Sequence, residues 1–318
     1  MGSLDEAAAM LRGAQRVVIL SHKSPDGDTL GAASALCRAL RRLGKRAAVR
    51  CSDPIGPKYR FLFEGLPDET FEPDLVAAVD IADEKLFGEP LLARYGGKVD
   101  LCVDHHPSNT GFARLNVVNP KAAAACEVIF ALLKKMGAPI DRPVALALYT
   151  GITTDTGCFK YTNVTPATYR IAADLVETGI DAPAVNRAMF DTKSRARLEM
   201  ERRVLDSIRY ECGGKVALIK ITKQMVAETG ATEDDLDGLA SIPREIEGVL
   251  VGVTLREKGG GEWKVSLRAR DPANASQICA KFGGGGHRGA AGCSLRMPPD
   301  EAERRLLAAV RESLAAGA

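Results

Sequence analysis

The chain has 318 residues, 46% of them hydrophobic and 26% charged, a composition that excludes disordered, collagen-like and coiled-coil proteins and allows about two domains of ~150 residues. With 43 Lys and Arg against 41 Asp and Glu the net charge is +2, so no global field draws the protein to long nucleic acid or to an anionic membrane.

Leu4 to Arg12 has the spacing of a short amphipathic helix. Val17 to Leu20 then reads as a strand buried on both faces, and Leu30 to Leu43 as the helix that follows. Further strands are expected at Ala47 to Cys51, Leu75 to Ile81, Val99 to Val103 and Leu115 to Val118, with helices at Ala122 to Met136, Pro143 to Thr150 and Thr165 to Thr178. This alternation predicts an α/β catalytic domain over 1–190, built on a parallel sheet with flanking helices. The charged segment Arg195 to Ser207 predicts a helical linker over 191–212. Strands at Lys215 to Ile221, Glu247 to Leu255 and Trp263 to Arg268, a helical Asp234 to Ala240, a Gly-rich loop Gly283 to Gly292 and a helix from Asp300 to Leu314 make 213–318 a smaller α+β domain. No segment approaches the roughly 20 apolar residues of a membrane span, and the N-terminus carries acids where a signal peptide is basic. A cytoplasmic protein is expected. Its eight cysteines include no Cys-x-x-Cys pair and read as reduced thiols.

Ligands of a parallel α/β sheet bind beyond the carboxyl ends of its strands, and the reactive side chains fall there. His22, Asp26 and Asp28 follow the first apolar run, Asp80 ends the third, Asp104-His105-His106 ends the fourth, and Asp155 lies in a hydroxyl-rich loop after an apolar helix. Singly, Pro25-Asp26-Gly27 is turn chemistry and Asp83 a helix cap. Jointly, so many carboxylates and imidazoles at equivalent strand ends require cations to neutralise them. Mixed His and Asp donors without thiolate favour Mn²⁺ or Mg²⁺, with Zn²⁺ or Fe²⁺ as further candidates, and six ligands suffice for two ions that share one carboxylate. The basic run Arg38, Arg41, Arg42, Lys45 and Arg46 reads as a solvated helix face, and Lys58-Tyr59 as a loop.

These motifs resemble those of the DHH phosphoesterases. His22-Lys-Ser-Pro-Asp26-Gly-Asp28 is similar to the family's first motif, Asp80 to its second, Asp104-His105-His106 to the third, and Gly151 to Gly157 to the fourth. Gly283 to Gly292 (GGGGHRGAAG) resembles the signature of the accompanying DHHA1 domain. The resemblance covers nearly the whole chain. It implies that His22 and Asp26 hold one metal, that Asp28, His105 and Asp155 hold another, and that Asp80 bridges the two. It implies hydroxide held between two Mn²⁺ ions as the nucleophile, Asp104 as an orienting group, and His106 as a catalytic group that stabilises charge or protonates the leaving oxygen. Gly284, Gly285, Gly286, His287 and Arg288, with Arg268, would bind substrate phosphates, although Ala269 stands where the family commonly has Ser after that Arg. The active site is expected in a cleft between the two domains.

The compact length and low net charge are similar to the NrnA-type branch rather than to RecJ-type exonucleases. The resemblance therefore implies hydrolysis of oligoribonucleotides of a few residues to mononucleotides, of 3′-phosphoadenosine 5′-phosphate (pAp) to AMP, or both. A cyclic di-AMP or linear dinucleotide (pApA, pGpG) phosphodiesterase is the alternative, and a non-catalytic nucleotide sensor the remote one. Expected partners are short RNA or mono- and dinucleotide phosphates, with neither membrane nor long duplex DNA, and there is room for a homodimer.

Overall fold

The computed structural model describes residues 2–236 and 238–315. The chain divides into two compact units, Met1–Thr192 and Lys193–Ala318. The first contains, in order, α1 (Leu4–Gly13), β1 (Arg16–Leu20), α2 (Gly27–Arg42), β2 (Arg46–Arg50), β3 (Leu75–Val79), α3 (Glu89–Tyr95), β4 (Leu101–Asp104), β5 (Leu115–Val118), α4 (Ala125–Met136), α5 (Arg142–Asp155), α6 (Pro166–Glu177) and α7 (Ala182–Asn186). All five strands are parallel, in the order β2-β1-β3-β4-β5.

Alternation along each central strand feeds two cores. Val17, Ile19, Ala77, Val79, Leu101 and Val103 pack against α1, α2, α4 and α5. Val18, Leu20, Val76, Ala78 and Cys102 pack against Phe87, Leu91 and Tyr95 on the other face. Burial on both faces is why these strands read as unbroken apolar runs. The basic run, expected as a solvated helix face, is instead anchored in part: half-buried Arg38 donates to the carbonyls of Leu62 and Glu64, and Arg41 on α2 and Arg46 on β2 pair with Glu69. Asp83 caps a 3₁₀ turn by accepting the amide of Lys85.

One helix is longer than expected. α5 runs through Gly151 to Asp155, so Asp155 closes a helix and does not lie in a loop. The hydroxyl-rich segment tolerates helix because Thr150, Thr154 and Thr156 bond back to carbonyls one turn earlier. Gly151 persists inside it for a packing reason. A Cβ there would lie 2.2 Å from Cys126 Sγ and 2.8 Å from Asp28 Oδ1, and one on Gly31 would lie 2.5 Å from the carbonyl oxygen of Ala147. Missing side chains thus let α2, α4 and α5 close on one another.

The second unit contains α8 (Arg195–Asp206), β6 (Arg209–Glu211), β7 (Val216–Ile221), α9 (Lys223–Thr229), α10 (Glu233–Leu236), α11 (Ile242–Glu245), β8 (Val251–Gly259), β9 (Glu262–Ala269), α12 (Ala275–Ala280), β10 (Gly285–His287), β11 (Ala290–Arg296) and α13 (Pro299–Ala315). Its mixed sheet has the order β10-β11-β9-β8-β7-β6. The expected helix Asp234 to Ala240 becomes α10 and a 3₁₀ turn at Leu239–Ser241, while Asp237 between them lies outside the described residues. α8 buries Met200 and Val204 against Ile219, Ile221, Leu236 and Leu239 of this unit. The Gly-rich segment expected as a loop is a hairpin, β10 to β11. Gly284 and Gly286 permit its close pairing, since Cβ atoms there would lie 2.2 Å from the Gly292 carbonyl and 2.6 Å from that of Ala290.

Candidate metal centre

The strand order β2-β1-β3-β4-β5 reverses direction between β1 and β3, which makes the carboxyl ends of those strands the natural binding crevice. His22 follows β1, Asp80 follows β3, and Asp104 ends β4 with His105 and His106 after it. The remaining acids arrive on helices. Asp26 is the N-cap of α2, accepting the amides of Asp28 and Thr29, Asp28 sits in that helix's first turn, and Asp155 ends α5. The expectation that every ligand candidate occupies a strand end is corrected here: helix packing, not strand register, places Asp26, Asp28 and Asp155.

The donors form linked groups. His22, Asp26 and Asp80 offer ligand atoms within 4.8 Å of one another, as do Asp28, His105 and Asp155, and likewise Asp80, His105 and His106. Asp80 joins them: its Oδ2 is 3.7 Å from His22 Nε2, and its Oδ1 is 3.6 Å from His105 Nε2. His105 Nε2 is also 3.6 Å from Asp155 and 3.9 Å from Asp28. The Nδ1 atoms of His22 and His105 face the carbonyls of Lys23 and Ala122 at 2.8 and 3.2 Å. That pairing orients each Nε2 toward the carboxylates, the arrangement of a metal-ligating imidazole.

Electrostatics supply the test of whether these donors fit a cation. Asp80 is only 3% exposed and its Oδ1 has no hydrogen-bond partner. Burial, then the neighbouring Asp28, Asp26, Asp104 and Asp155, push its carboxyl well above the usual range. Burial, with Asp26, raises Asp28 against the opposing pull of His105, and burial with Asp28 and Asp26 lifts Asp155 to about 8. Burial opposes charge on His22 and Asp26 too, but their mutual interaction outweighs it, raising the imidazole and lowering the carboxyl. A carboxylate cluster that carries its own electrostatic penalty, with an unbonded oxygen at its centre, fits divalent metal. Backbone strain gathers here as well. Ser24, Asp80, Cys158 and Phe159 all have positive φ (52°, 58°, 59° and 62°), a cost that persists where surrounding structure over-determines it.

Asp104 is fully buried and its oxygens are spoken for by the chain itself. Oδ1 accepts the His105 amide and His106 Nδ1, both at 2.8 Å, and Oδ2 accepts Asn109 Nδ2 at 2.7 Å. The bond to Asp104 raises the pKa of His106. Sequence reasoning missed Asn109, which ties Asp104 to the Ile81 carbonyl. It also missed the amides of Ala125 and Cys126, which bind the two oxygens of Asp28 at 2.6 and 3.0 Å. The glycines four apart, Gly27 and Gly31, with Gly151 inside an apolar run, were the available signal for that packing.

In the second unit, register lines up His287, Ala290 and Arg268 in one row across β10, β11 and β9. Paired residues of antiparallel strands share a sheet face. His287 and Arg268 therefore flank the small Ala290, about 10 Å apart at two strand spacings. Arg288 lies in the hairpin turn, paired with Asp271 at 2.8 Å.

A carboxylate- and imidazole-lined centre at the switch point of a parallel sheet has the donor set and placement of a metal-binding enzyme site. Comparison with known proteins makes the class specific. Residues 16–152 match the DHH family, N-terminal domain, and residues 213–316 match the DHHA1 domain. The chain is 36% identical over 94% of its length to the bifunctional oligoribonuclease and PAP phosphatase NrnA of Thermus thermophilus, covering 90% of that protein. It is 25% identical over 91% of its length to the Bacillus subtilis protein of the same name, covering 92% of it. Its fold matches the crystal structure of an exopolyphosphatase-related protein from Bacteroides fragilis with a TM-score of 0.89 at 26% identity, over 98% of this chain and 96% of that one. The chain belongs to the DHH family and is a phosphoesterase. No helix among the described residues is long and apolar enough to cross a membrane.

Proposed function

We propose that this phosphoesterase hydrolyses oligoribonucleotides of a few residues to mononucleotides and removes the 3′-phosphate of pAp, using two divalent ions, Mn²⁺ first among them. The observation that carries the reading is Asp80, whose two oxygens face separate groups of donors. His22 and Asp26 would hold one ion, Asp28, His105 and Asp155 the other, with Asp80 between them. Bound there, the ions supply positive charge for phosphoryl oxygens and acidify water. Asp104 accepts the Nδ1–H of His106 and raises its pKa, favouring the imidazolium, whose Nε2–H would then donate to a substrate oxygen. Asn109 holds Asp104 in that position. The relatives named oligoribonuclease and PAP phosphatase support the choice of substrate.

The segment 191–212, expected as a helical linker, packs its Met200 and Val204 into the second unit and pairs β6 with β7 there. The catalytic domain is taken as 1–190 and the substrate-binding domain as 213–318 with that helix and strand attached. Within the latter, Gly284, Gly285, Gly286, His287 and Arg288, with Arg268, are the proposed phosphate-binding residues, supported by the shared row of His287 and Arg268. The exposed Arg288–Asp271 pair is worth ~0–1 kcal/mol, so a phosphate can displace it. The test is a panel of pAp, pApA, pGpG, cyclic di-AMP and a 24-mer RNA with Mn²⁺. Preference for pAp and linear dinucleotides over the 24-mer supports the reading; turnover of cyclic di-AMP alone replaces it with the alternative, and no turnover overturns it.

A further inference from the structure

Residues 156–163 fold back on the end of α5, directly after Asp155. The amides of Lys160 and Tyr161 both donate to the Thr156 carbonyl, at 2.9 and 3.0 Å. Asn163 Nδ2 donates to the Asp155 carbonyl at 3.1 Å, tying the turn to that ligand candidate's main chain. Three successive residues, Gly157, Cys158 and Phe159, have φ of 55°, 59° and 62°. Cys158 and Phe159 pay for this conformation in strain, which is retained where the geometry serves a purpose.

The strained turn does two things. Phe159 is sent inward, stacked on Tyr169 with ring centroids 5.6 Å apart and beside Tyr149 at 6.1 Å. Tyr161 is laid flat over Gly157, so close that a Cβ on that glycine would lie 2.3 Å from the ring. Yet Tyr161 is 54% exposed and Tyr169 57% exposed, and Lys160 and Arg170 beside them are exposed as well. Burying rings is the ordinary use of an aromatic residue; here two are presented to solvent next to cations, Tyr161 in the turn that directly follows Asp155 and Tyr169 on α6. That is the composition of a surface that stacks nucleobases and attracts the phosphates joining them.

We propose that Tyr161 is the stacking platform for a nucleobase of the substrate, with Tyr169 continuing the aromatic surface and Lys160 and Arg170 attracting the phosphate backbone. The inference rests on the nucleotide reading of the site and adds the element that recognises a base without regard to its identity. Tyr161 is a positioning residue for binding and takes no part in proton transfer.

Base stacking contributes about 5- to 150-fold in affinity per base. In Tyr161→Ala, the ratio of kcat/KM for pApA to that for its abasic counterpart should fall by that range, through KM more than kcat, and Tyr161→Phe should restore it. A second readout needs no turnover. In EDTA, a dinucleotide carrying 2-aminopurine should be quenched on binding to wild type and to Tyr161→Phe, and not to Tyr161→Ala. A ratio unchanged within twofold in Tyr161→Ala, or equal quenching by all three proteins, overturns the proposal. If wild type fails to hydrolyse any nucleotide, the substrate reading falls, while the quenching experiment still decides whether the platform stacks bases.

Discussion

Gly151→Ala tests whether close packing of helices, rather than ligand identity alone, builds the centre. The new Cβ would lie 2.2 Å from Cys126 Sγ, 2.8 Å from Asp28 Oδ1 and 3.1 Å from Asp28 Cα. Ordinary contact begins near 3.4 Å, so α5 must move from α2 and α4 by on the order of 1 Å, or the thiol and carboxylate must give way. Overpacking of this kind costs about 1–3 kcal/mol, and each kcal/mol lowers Tm by about 2–4 °C in a domain of this size. Function should suffer more than stability. Asp28 and Asp155 sit on the two helices forced apart, and a misplacement of about 1 Å can cost 10²-fold in rate. The assay is p-nitrophenol release from bis-p-nitrophenyl phosphate with saturating Mn²⁺, alongside thermal melts. Adding Cys126→Ala removes the nearest obstruction but not Asp28, so the double variant should regain most of the Tm and less of the rate. Wild-type Tm and kcat/KM within twofold for Gly151→Ala would refute the reasoning.

Asp80→Asn should reduce hydrolysis by at least 10³-fold while raising the Tm of the metal-free protein, and more at pH 8 than at pH 5. Its raised carboxyl pKa in the fold makes wild-type stability fall as pH rises above the unfolded value; melts in EDTA at both pH values check the sign, and a lower Tm for the variant at pH 8 contradicts it. Metal binding should release protons at pH 7, because Asp155 titrates at about 8 and must ionise to serve as a ligand. Apparent Mn²⁺ affinity should therefore rise with pH up to that value, and calorimetry in two buffers of different ionisation enthalpy measures the release; zero net protons would count against it. His287→Ala and Arg288→Ala should raise KM for pAp and dinucleotides by about 10- to 150-fold, on the scale of charge-assisted hydrogen bonds of about 1.5–3 kcal/mol, and raise KM for bis-p-nitrophenyl phosphate less. Equal effects on both substrate types would remove the hairpin from substrate binding.

The legible and illegible parts of this molecule separate along a physical line. The strands at Val17 to Leu20 and Leu75 to Val79 could be read because burial on both faces leaves an apolar run in the chain itself. His22, Asp80 and the Asp104–His106 triplet could be read with them, since parallel register delivers the residue after each strand to one edge. Asp28 and Asp155 were recognisable as motif residues, but what holds them was not. The amides of Ala125 and Cys126 that bind Asp28 lie 97 and 98 positions away, and no local periodicity encodes that contact. The same limit hid Asn109, whose partner Asp104 depends on how the chain turns back, and the hairpin at Gly285 to Ala290, where glycines that suggest a flexible loop instead permit tight strand pairing. The centre thus has a half set by strand register and a half set by helices brought close through absent side chains. Substitutions that leave every donor in place can still disable the second half, and Gly31 and Gly151 are the positions where that vulnerability concentrates.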